Sequence, residues 1–303
     1  MTATLRFVEA AATLPRVRLS VVSQDPAERL PAPLRARLAG HWRVDDALQP
    51  AQIVAAVRAL QARLGDVQRV IGSLEQLQEP LAHANATLGL RGLAPATATH
   101  FRDKRRMKDL FAAAGVPCAR HAQIESAEAA RRFVAAVGFP VVAKPLAGAG
   151  ARNTFRLDDV AALDGYLARF APRPEQPVLF EQFLDGVEHS FDSVMQGGRL
   201  LWRSISTYSP STLTVVENPW IQWCVLLPRE LDAPPFAAID AAAPRALAAL
   251  GLDTGFTHME WFARPDGTIA ISEVAARPPG AQFTTLLSLA HAHDFYRAWA
   301  QLM

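Results

Sequence analysis

Glu260 and Glu273 lie on two runs of strand-like composition, 256–262 and 268–274, that flank Arg264-Pro265-Asp266-Gly267. Asp-Gly between such runs predicts a β-hairpin, because a type I′ turn needs φ > 0 at both central residues. If Asp266 and Gly267 form the whole loop, Pro265 faces Thr268, and counting back places Glu260 directly opposite Glu273. A four-residue loop also keeps both acids on one face, whereas a three-residue loop with Gly267 in a bulge puts them on opposite faces. Cross-strand partners have Cβ atoms about 4.5–5.5 Å apart, where like charges repel. A divalent cation turns that repulsion into binding, since carboxylates are the ligands that hard ions such as Mg²⁺ take. Without an ion the pair reads as two solvated acids on an exposed sheet face. Arg277 comes four residues after Glu273 and leads into Pro278-Pro279-Gly280, whose prolines stop a helix and hold the backbone extended. A guanidinium fork beside a metal-binding carboxylate suits a phosphate or carboxylate ligand. The plainer reading is a loop arginine paired with a surface acid.

The basic residues are skewed: of 31, 28 are Arg and three are Lys, at Lys104, Lys108 and Lys144. A chain so rich in guanidinium can keep lysine for places where a compact point charge is needed. Lys144 ends a buried-looking strand, 139–144, and is followed by Ala147-Gly148-Ala149-Gly150-Ala151-Arg152. Small residues in such a loop leave backbone N–H groups free to approach phosphate oxygens. The loop is neither a Walker A motif nor a dinucleotide fingerprint, because the required Gly-Lys pair and third glycine are absent. Three strand candidates follow at 178–184, 187–195 and 199–206, with Asp185-Gly186 and Gly197-Gly198 as hairpin turns. Glu181 and Glu188 lie seven apart across the first turn, and each alone reads as an ordinary half-exposed strand acid.

These residues need elements to position them. The 303 residues suggest two domains with sizeable cores. Residues 3–13 carry a short helix pattern, 17–22 a strand, Pro50–Leu64 an amphipathic helix ending at Gly65, and 67–71 another strand. That alternation predicts a doubly wound α/β domain to about residue 95, without the opening strand and glycine loop usual in such domains. A helix over 103–114, capped by Asp103, buries Met107, Leu110, Phe111 and Ala114. Lys108, one turn beyond Lys104, falls on its solvated face. Ser126 caps the next helix, which ends at Gly138. Strand character returns around 220–227, and helices over 237–250 and 283–302 close the chain. His291-Ala292-His293-Asp294 reads as an ordinary helix face rather than a metal site.

Composition excludes several classes. A net charge of +2 implies no nucleic-acid partner. No apolar run reaches the roughly 18 residues needed to span a bilayer, and the first residues do not read as a signal peptide. Cys118 and Cys224 are too few for a disulfide framework. The composition fits a cytoplasmic protein.

Taken in order, the pre-helix lysine, the PVVAK strand, the glycine loop, FEQFLDGVE, and THMEW with ISEVAARPPG resemble the ATP-grasp superfamily over residues 101–298. The similarity is greatest to its biotin-carboxylase-like and carboxylate–amine ligase branches. The resemblance implies an α/β fold: a Rossmann-like domain over 1–100, here lacking its first strand, then an ATP-grasp domain over 101–303 with a lid at about 118–180. It implies that Lys104 and Lys144 bind ATP phosphates under a loop containing Gly148 and Gly150. Glu181, Phe183 and Leu184 would line adenine, mainly through backbone atoms, and Glu188 would hold the ribose. Glu260 and Glu273 would carry Mg²⁺ or Mn²⁺, and Arg277 would meet the transferring phosphoryl group or the substrate carboxylate. The implied reaction joins a small-molecule carboxylate to an amine through an acyl phosphate, releasing ADP. Two departures stand out. Ala275 occupies a position where many members have a metal-binding Asn, and no lysine follows Lys144, which argues against true biotin carboxylation. The usual C-terminal extension is also absent from this sequence. The alternatives are a non-catalytic ATP-binding module left by terminal truncation and a biotin-carboxylase-type enzyme. Residues 207–223, rich in Ser, Thr and Trp, are a candidate wall for the substrate pocket.

Overall fold

A computed structural model describes residues 2–148 and 153–303 of the chain. Its N-terminal part runs α1 (Thr2–Ala11), β1 (Ser20–Ser23), the one-turn α2 (Ala32–Arg35), β2 (Gly40–Arg43), α3 (Pro50–Leu64) and α4 (Gln78–Leu88). β1 and β2 pair in parallel, with Ser20 opposite Gly40. The α/β expectation therefore holds here as a two-stranded sheet, not as a complete doubly wound one. α3 starts with Pro50 in its first turn and buries Ile53, Val54, Ala56, Val57 and Leu60 along one stripe.

The strand expected at 67–71 does not form. Val67 and Val70 do pack on Ile53, Val54, Val57 and Leu81. Side-chain amides of α4, however, take the carbonyl of Val70 and two just beyond the segment. Asn85 Nδ2 donates to Val70 O at 2.9 Å, and Gln78 Nε2 donates to Gly72 O at 3.0 Å and Leu74 O at 2.9 Å. Backbone polar groups need partners, but those partners need not be another strand.

α5 (Pro95–Arg102) and α6 (Lys104–Ala113) lead into a four-stranded antiparallel sheet. It contains β3 (His121–Ile124), β4 (Val141–Lys144), β5 (Phe155–Leu157) and β6 (Val178–Gln182), in the order β3-β6-β4-β5, with α7 (Ala127–Val137) and α8 (Val160–Phe170). Ile124, Val134, Val141, Leu163 and Phe180 form its core. The expected caps are present: Asp103 accepts from Arg106 N at 3.0 Å and Ser126 from Ala129 N at 3.1 Å.

The second sheet has the order β11-β10-β7-β8-β9. Its strands are β7 (Val187–Gln196), β8 (Arg199–Ser209), β9 (Cys224–Leu226), β10 (Gly255–Ala263) and β11 (Ile269–Ala275). A six-residue helix, α9 (Thr212–Glu217), follows β8, and α10 (Pro234–Leu250) packs against the sheet. Alternation sorts β10: Met259 and Trp261 enter the core with Phe111, Phe191, Ile239 and Leu247, while His258 and Glu260 take the other face. Gly197-Gly198 makes the expected β7–β8 hairpin, with Gln196 opposite Arg199 and positive φ at both glycines. Asp185-Gly186 is not a hairpin. It carries the chain from β6 in one sheet to β7 in the other. The last expected helix is two, α11 (Phe283–Ala290) and α12 (Phe295–Leu302), because Asp294 caps a new start by accepting from Arg297 N at 3.0 Å. Among the described residues no helix is long and apolar enough to cross a membrane.

Gly186 fits its crossover only because it lacks a side chain. Its φ is +147°, and an added Cβ would lie 2.3 Å from Ala263 O. Gly186→Ala should therefore destabilise the fold by more than about 1 kcal/mol, read as a lower urea midpoint at unchanged m. A parent-like midpoint would contradict this close approach.

Candidate functional site

Of the loop lengths the sequence leaves open, the β10–β11 hairpin has the three-residue one. Arg264 N donates to Thr268 O at 2.9 Å, Gly267 N donates to Arg264 O at 3.0 Å, and Gly267 has φ +80°. That loop alone would put Glu260 and Glu273 on opposite faces. A bulge restores them: Trp261 pairs with Ile271, but the next pair is Glu260 with Glu273, so Ser272 is an extra residue on β11. The two carboxylates face each other because two irregularities cancel.

They open into a cavity of about 190 Å³ between the two sheets. The same cavity is lined by Lys104, Lys144, Gly148, Glu181, Phe183, Leu184, Glu188 and Arg277. Of the candidate residues read from the sequence, only Gly150 is missing from this group, and it lies outside the described residues. α6 brings Lys104, whose Nζ is 2.5 Å from Glu273 Oε1 and donates to Gly148 O at 3.1 Å. β4 brings Lys144, 2.9 Å from Glu181 Oε1 on the neighbouring β6. Lys108 is not solvated as expected but 0% exposed. It lies 3.3 Å from the same Glu181 oxygen and donates to Ser272 O at 2.9 Å. The helix face read as solvent-facing is covered by β6 and β11.

Burial opposes charge in this cluster, and the partners decide the outcome. Burial alone would raise Glu181, but Lys108 and Lys144 bring it below the usual carboxylate range. Burial would lower Lys144, yet Glu181, Glu273 and Glu260 raise it above an ordinary lysine. For Lys108 desolvation wins over Glu181, and its pKa is lowered. Glu188 is pushed up to about 7 by burial and then by Glu260, against hydrogen bonds from Thr212. Thr212 N donates to it at 2.7 Å, and Thr212 Oγ1 donates to its other oxygen.

Several residues of the site escaped the sequence. His258 pairs through Nδ1 with Asp192 at 2.7 Å, and its Nε2 is 3.7 Å from Glu260 Oε1. Burial disfavours its cation, but Asp192 and Glu260 outweigh this and raise the imidazole to about 9. His258 in turn lowers Glu260 against the effect of burial. Alternation along THMEW could have found His258, which shares a strand face with Glu260. Glu75 carried no signal. It is buried just before α4 and accepts from Arg277 at 2.8 Å and Arg102 at 2.6 Å. Arg277 also donates to Pro278 O at 2.9 Å. Glu75 and Arg277 form a shared wall with a second cavity of about 210 Å³, which Arg6, Phe7, Gln282 and Tyr296 also line. His291 and His293 stand apart, in the α11–α12 break; His291 Nε2 is 3.2 Å from Ser204 Oγ.

Two sheets close on a cleft of lysines, facing carboxylates and an arginine, groups whose chemistry suits a polyanion together with a hard cation. Comparison with known proteins shows what the chain resembles. The model for the carbamoyl-phosphate synthase L chain ATP-binding domain matches residues 103–196. The carbamoyl phosphate synthase large chain of Mycobacterium tuberculosis is 28% identical over 246 residues, covering 77% of this chain and 21% of that protein. The crystal structure of an L-amino acid ligase from Bacillus licheniformis superposes with a TM-score of 0.80 at 20% identity, over 99% of this chain and 71% of that one. The biotin carboxylase domain of a Hydrogenobacter thermophilus 2-oxoglutarate carboxylase, solved with MgADP, ADP and bicarbonate, gives 0.70 at 17% identity, over 98% and 66%. The chain is similar to that ATP-binding family model over residues 103–196, and its fold is the one these ATP-grasp structures share. It spans about a fifth of the length of the carbamoyl phosphate synthase chains it matches.

The sheet that carries Glu260 also carries a pH-sensitive residue. His189, 5% exposed, stacks on Trp261 with centroids 4.5 Å apart, and burial lowers its pKa from 6.5 to about 4. The unfolded chain therefore takes up a proton near pH 6.5 that the folded chain refuses until about pH 4. The resulting stabilisation is complete above pH 6.5 and is lost as pH falls through this window, by about 3 kcal/mol in all. His189→Gln should flatten this part of the urea-unfolding pH profile, and an unchanged slope would assign the acid sensitivity elsewhere.

Proposed function

We propose that this chain is an ATP-dependent ligase that requires Mg²⁺, or Mn²⁺, and joins a small-molecule carboxylate to an amine, forming ADP. The observation that carries this reading is the Glu260–Glu273 pair facing one cavity beside Lys104, Lys144 and Arg277. Two carboxylates suit a hard cation. Among the described residues no group of three or more His, Cys, Asp or Glu could hold a metal. The other coordination positions would thus fall to phosphate oxygens and water, as Mg²⁺ favours. When bound, the ion supplies charge neutralisation at the phosphates. In the domain reading that goes with this function, 1–100 is the leading domain, 101–303 the ATP-grasp domain and about 118–180 its lid.

In the proposed arrangement Lys144 and Lys104 bind the ATP phosphates under the loop that begins at Gly148. Phe183 and Leu184, with the backbone of Glu181, line the base, and Glu188 holds the ribose. Lys104 is already balanced by Glu273 and Lys144 by Glu181, so both ammonium groups are held in place before a phosphate arrives. A substrate carboxylate oxygen attacks the γ-phosphorus, the bond to the β,γ-bridging oxygen breaks, and ADP leaves. Arg277 and the two lysines stabilise the charge on the transferring group. The amine then attacks the acyl carbon, and inorganic phosphate departs as the nitrogen loses a proton. The second cavity, which shares Arg277 and Glu75 with the first, has the position and the Arg6, Gln282 and Tyr296 lining to take the acid or amine. An arginine on the wall between two cavities supports chemistry over nucleotide binding alone, and the absence of lysine after Lys144 weighs against biotin carboxylation.

Two measurements test the reading. Incubated with Mg²⁺-ATP and a panel of small acids, the protein should release ADP and phosphate, and hydroxylamine should trap a hydroxamate. Glu273→Gln should abolish this turnover while the circular dichroism spectrum stays that of the parent, because it removes one carboxylate charge from the metal pair. AMP and pyrophosphate as products would overturn the mechanism. ATP binding without turnover on any acid would reassign the chain as a nucleotide-binding module.

A further inference from the structure

Lys108 is the buried lysine that the proposed reaction leaves without a task. Its Nζ donates to Ser272 O at 2.9 Å and lies 3.3 Å from Glu181 Oε1. Ser272 is the bulged residue of β11, immediately before Glu273. Glu181 Oε1 is also the oxygen that holds Lys144 at 2.9 Å. We propose that Lys108 is a positioning residue, which locks the Ser272 bulge and the Glu181–Lys144 pair together and so aligns the metal carboxylates with the phosphate-binding lysine. The inference rests on the reading of Glu260 and Glu273 as metal ligands.

Side chains alternate along a strand, so a slip of one residue exchanges the two faces. The three-residue loop at 265–267 imposes such a slip, and the Ser272 bulge removes it. Without the bulge Glu273 would leave the face that Glu260 occupies, and Ser272 would take its place. A bulge interrupts the ladder and leaves backbone groups to find other partners. A buried carbonyl left without one is penalised, which would favour the slipped register. The Lys108 ammonium fills that need from α6, which sits directly beneath β11: Val274 N contacts Met107 Sδ at 3.3 Å. The same nitrogen reaches Glu181 on β6, in the other sheet, and β6 pairs along β4 where Lys144 ends the strand. One side chain thus touches both sheets at the positions that set the site.

A residue that only stabilises the fold would leave metal affinity unchanged, and this separates the two roles. Mn²⁺ binding to the full chain, followed through the electron paramagnetic resonance signal of the free ion, is the readout. Lys108→Met should weaken Mn²⁺ binding about tenfold to a hundredfold, as losing a support of a metal ligand typically does. Lys108→Arg should weaken it too, because a guanidinium is too large for a fully buried site and would push Ser272 out of place. Arg106→Met, on the exposed side of the same helix, should change nothing. Parent-like Mn²⁺ affinity, within about twofold, in a folded Lys108 variant would overturn the proposal, and failure of both variants to fold would also overturn it, making Lys108 a folding residue. Glu273→Gln run in parallel separates the two readings. If it binds Mn²⁺ as the parent does, the metal reading fails and takes this inference with it. If it loses the ion while the Lys108 variants keep it, only the positioning role fails.

Discussion

A strand has two faces, and the site exists only because two acids from neighbouring strands share one. That constraint is met by compensation. Gly267, with φ +80°, closes a loop one residue longer than the shortest hairpin turn, and Ser272 absorbs the difference six residues before the proline pair. Met259, Trp261 and Ile271 then still enter the core, so the irregularity is confined to the rim of the cavity. The hydrophobic face of β10 and the acidic face are set by the same alternation, and neither could move without the other.

Around this pair the charges are arranged as a chain of neighbours. Asp192 supports His258, His258 supports Glu260, Lys104 sits on Glu273, and Glu181 is shared by Lys108 and Lys144. Each buried ion has a partner of opposite sign, which is the condition for keeping charges in a place that disfavours them. Two groups are exceptions in strength: burial outweighs Glu181 at Lys108 and lowers its pKa, and neutral hydrogen bonds from Thr212 do not offset burial at Glu188, whose carboxyl is pushed up to about 7. Glu188 is thus the carboxyl of the site whose charge responds near neutrality.

The legible parts were those written in local pattern. The hairpin that carries the two acids, the capped α6 and α7, the lysine at the end of β4 and the Gly197-Gly198 turn all follow from residues close together in sequence, whereas the facing of the acids needs the Ser272 bulge. What stayed hidden depends on who the neighbour is. Lys108 reads as solvated because its helix has one obvious apolar stripe; its burial comes from β6 and β11, the latter more than 160 residues away. Val67 and Val70 read as strand, and only Asn85 and Gln78 reveal that amides take the place of a second strand. The loop length was also beyond pattern, since Asp266-Gly267 suits a two-residue turn and a longer one alike.

Glu75 gives Arg277 a property beyond its position. The carboxylate is held by two guanidinium groups, from Arg102 at 2.6 Å and Arg277 at 2.8 Å. An anion arriving at Arg277 from either cavity would compete with Glu75 for the same fork. If Arg277 turned to the newcomer, Arg102 would still neutralise Glu75, so the exchange would strand no bare charge in the wall. The arginine is in effect on loan from a pair that stays balanced without it. Its release would thus be a swap between partners of like charge, with Arg102, which lines neither cavity, left on Glu75.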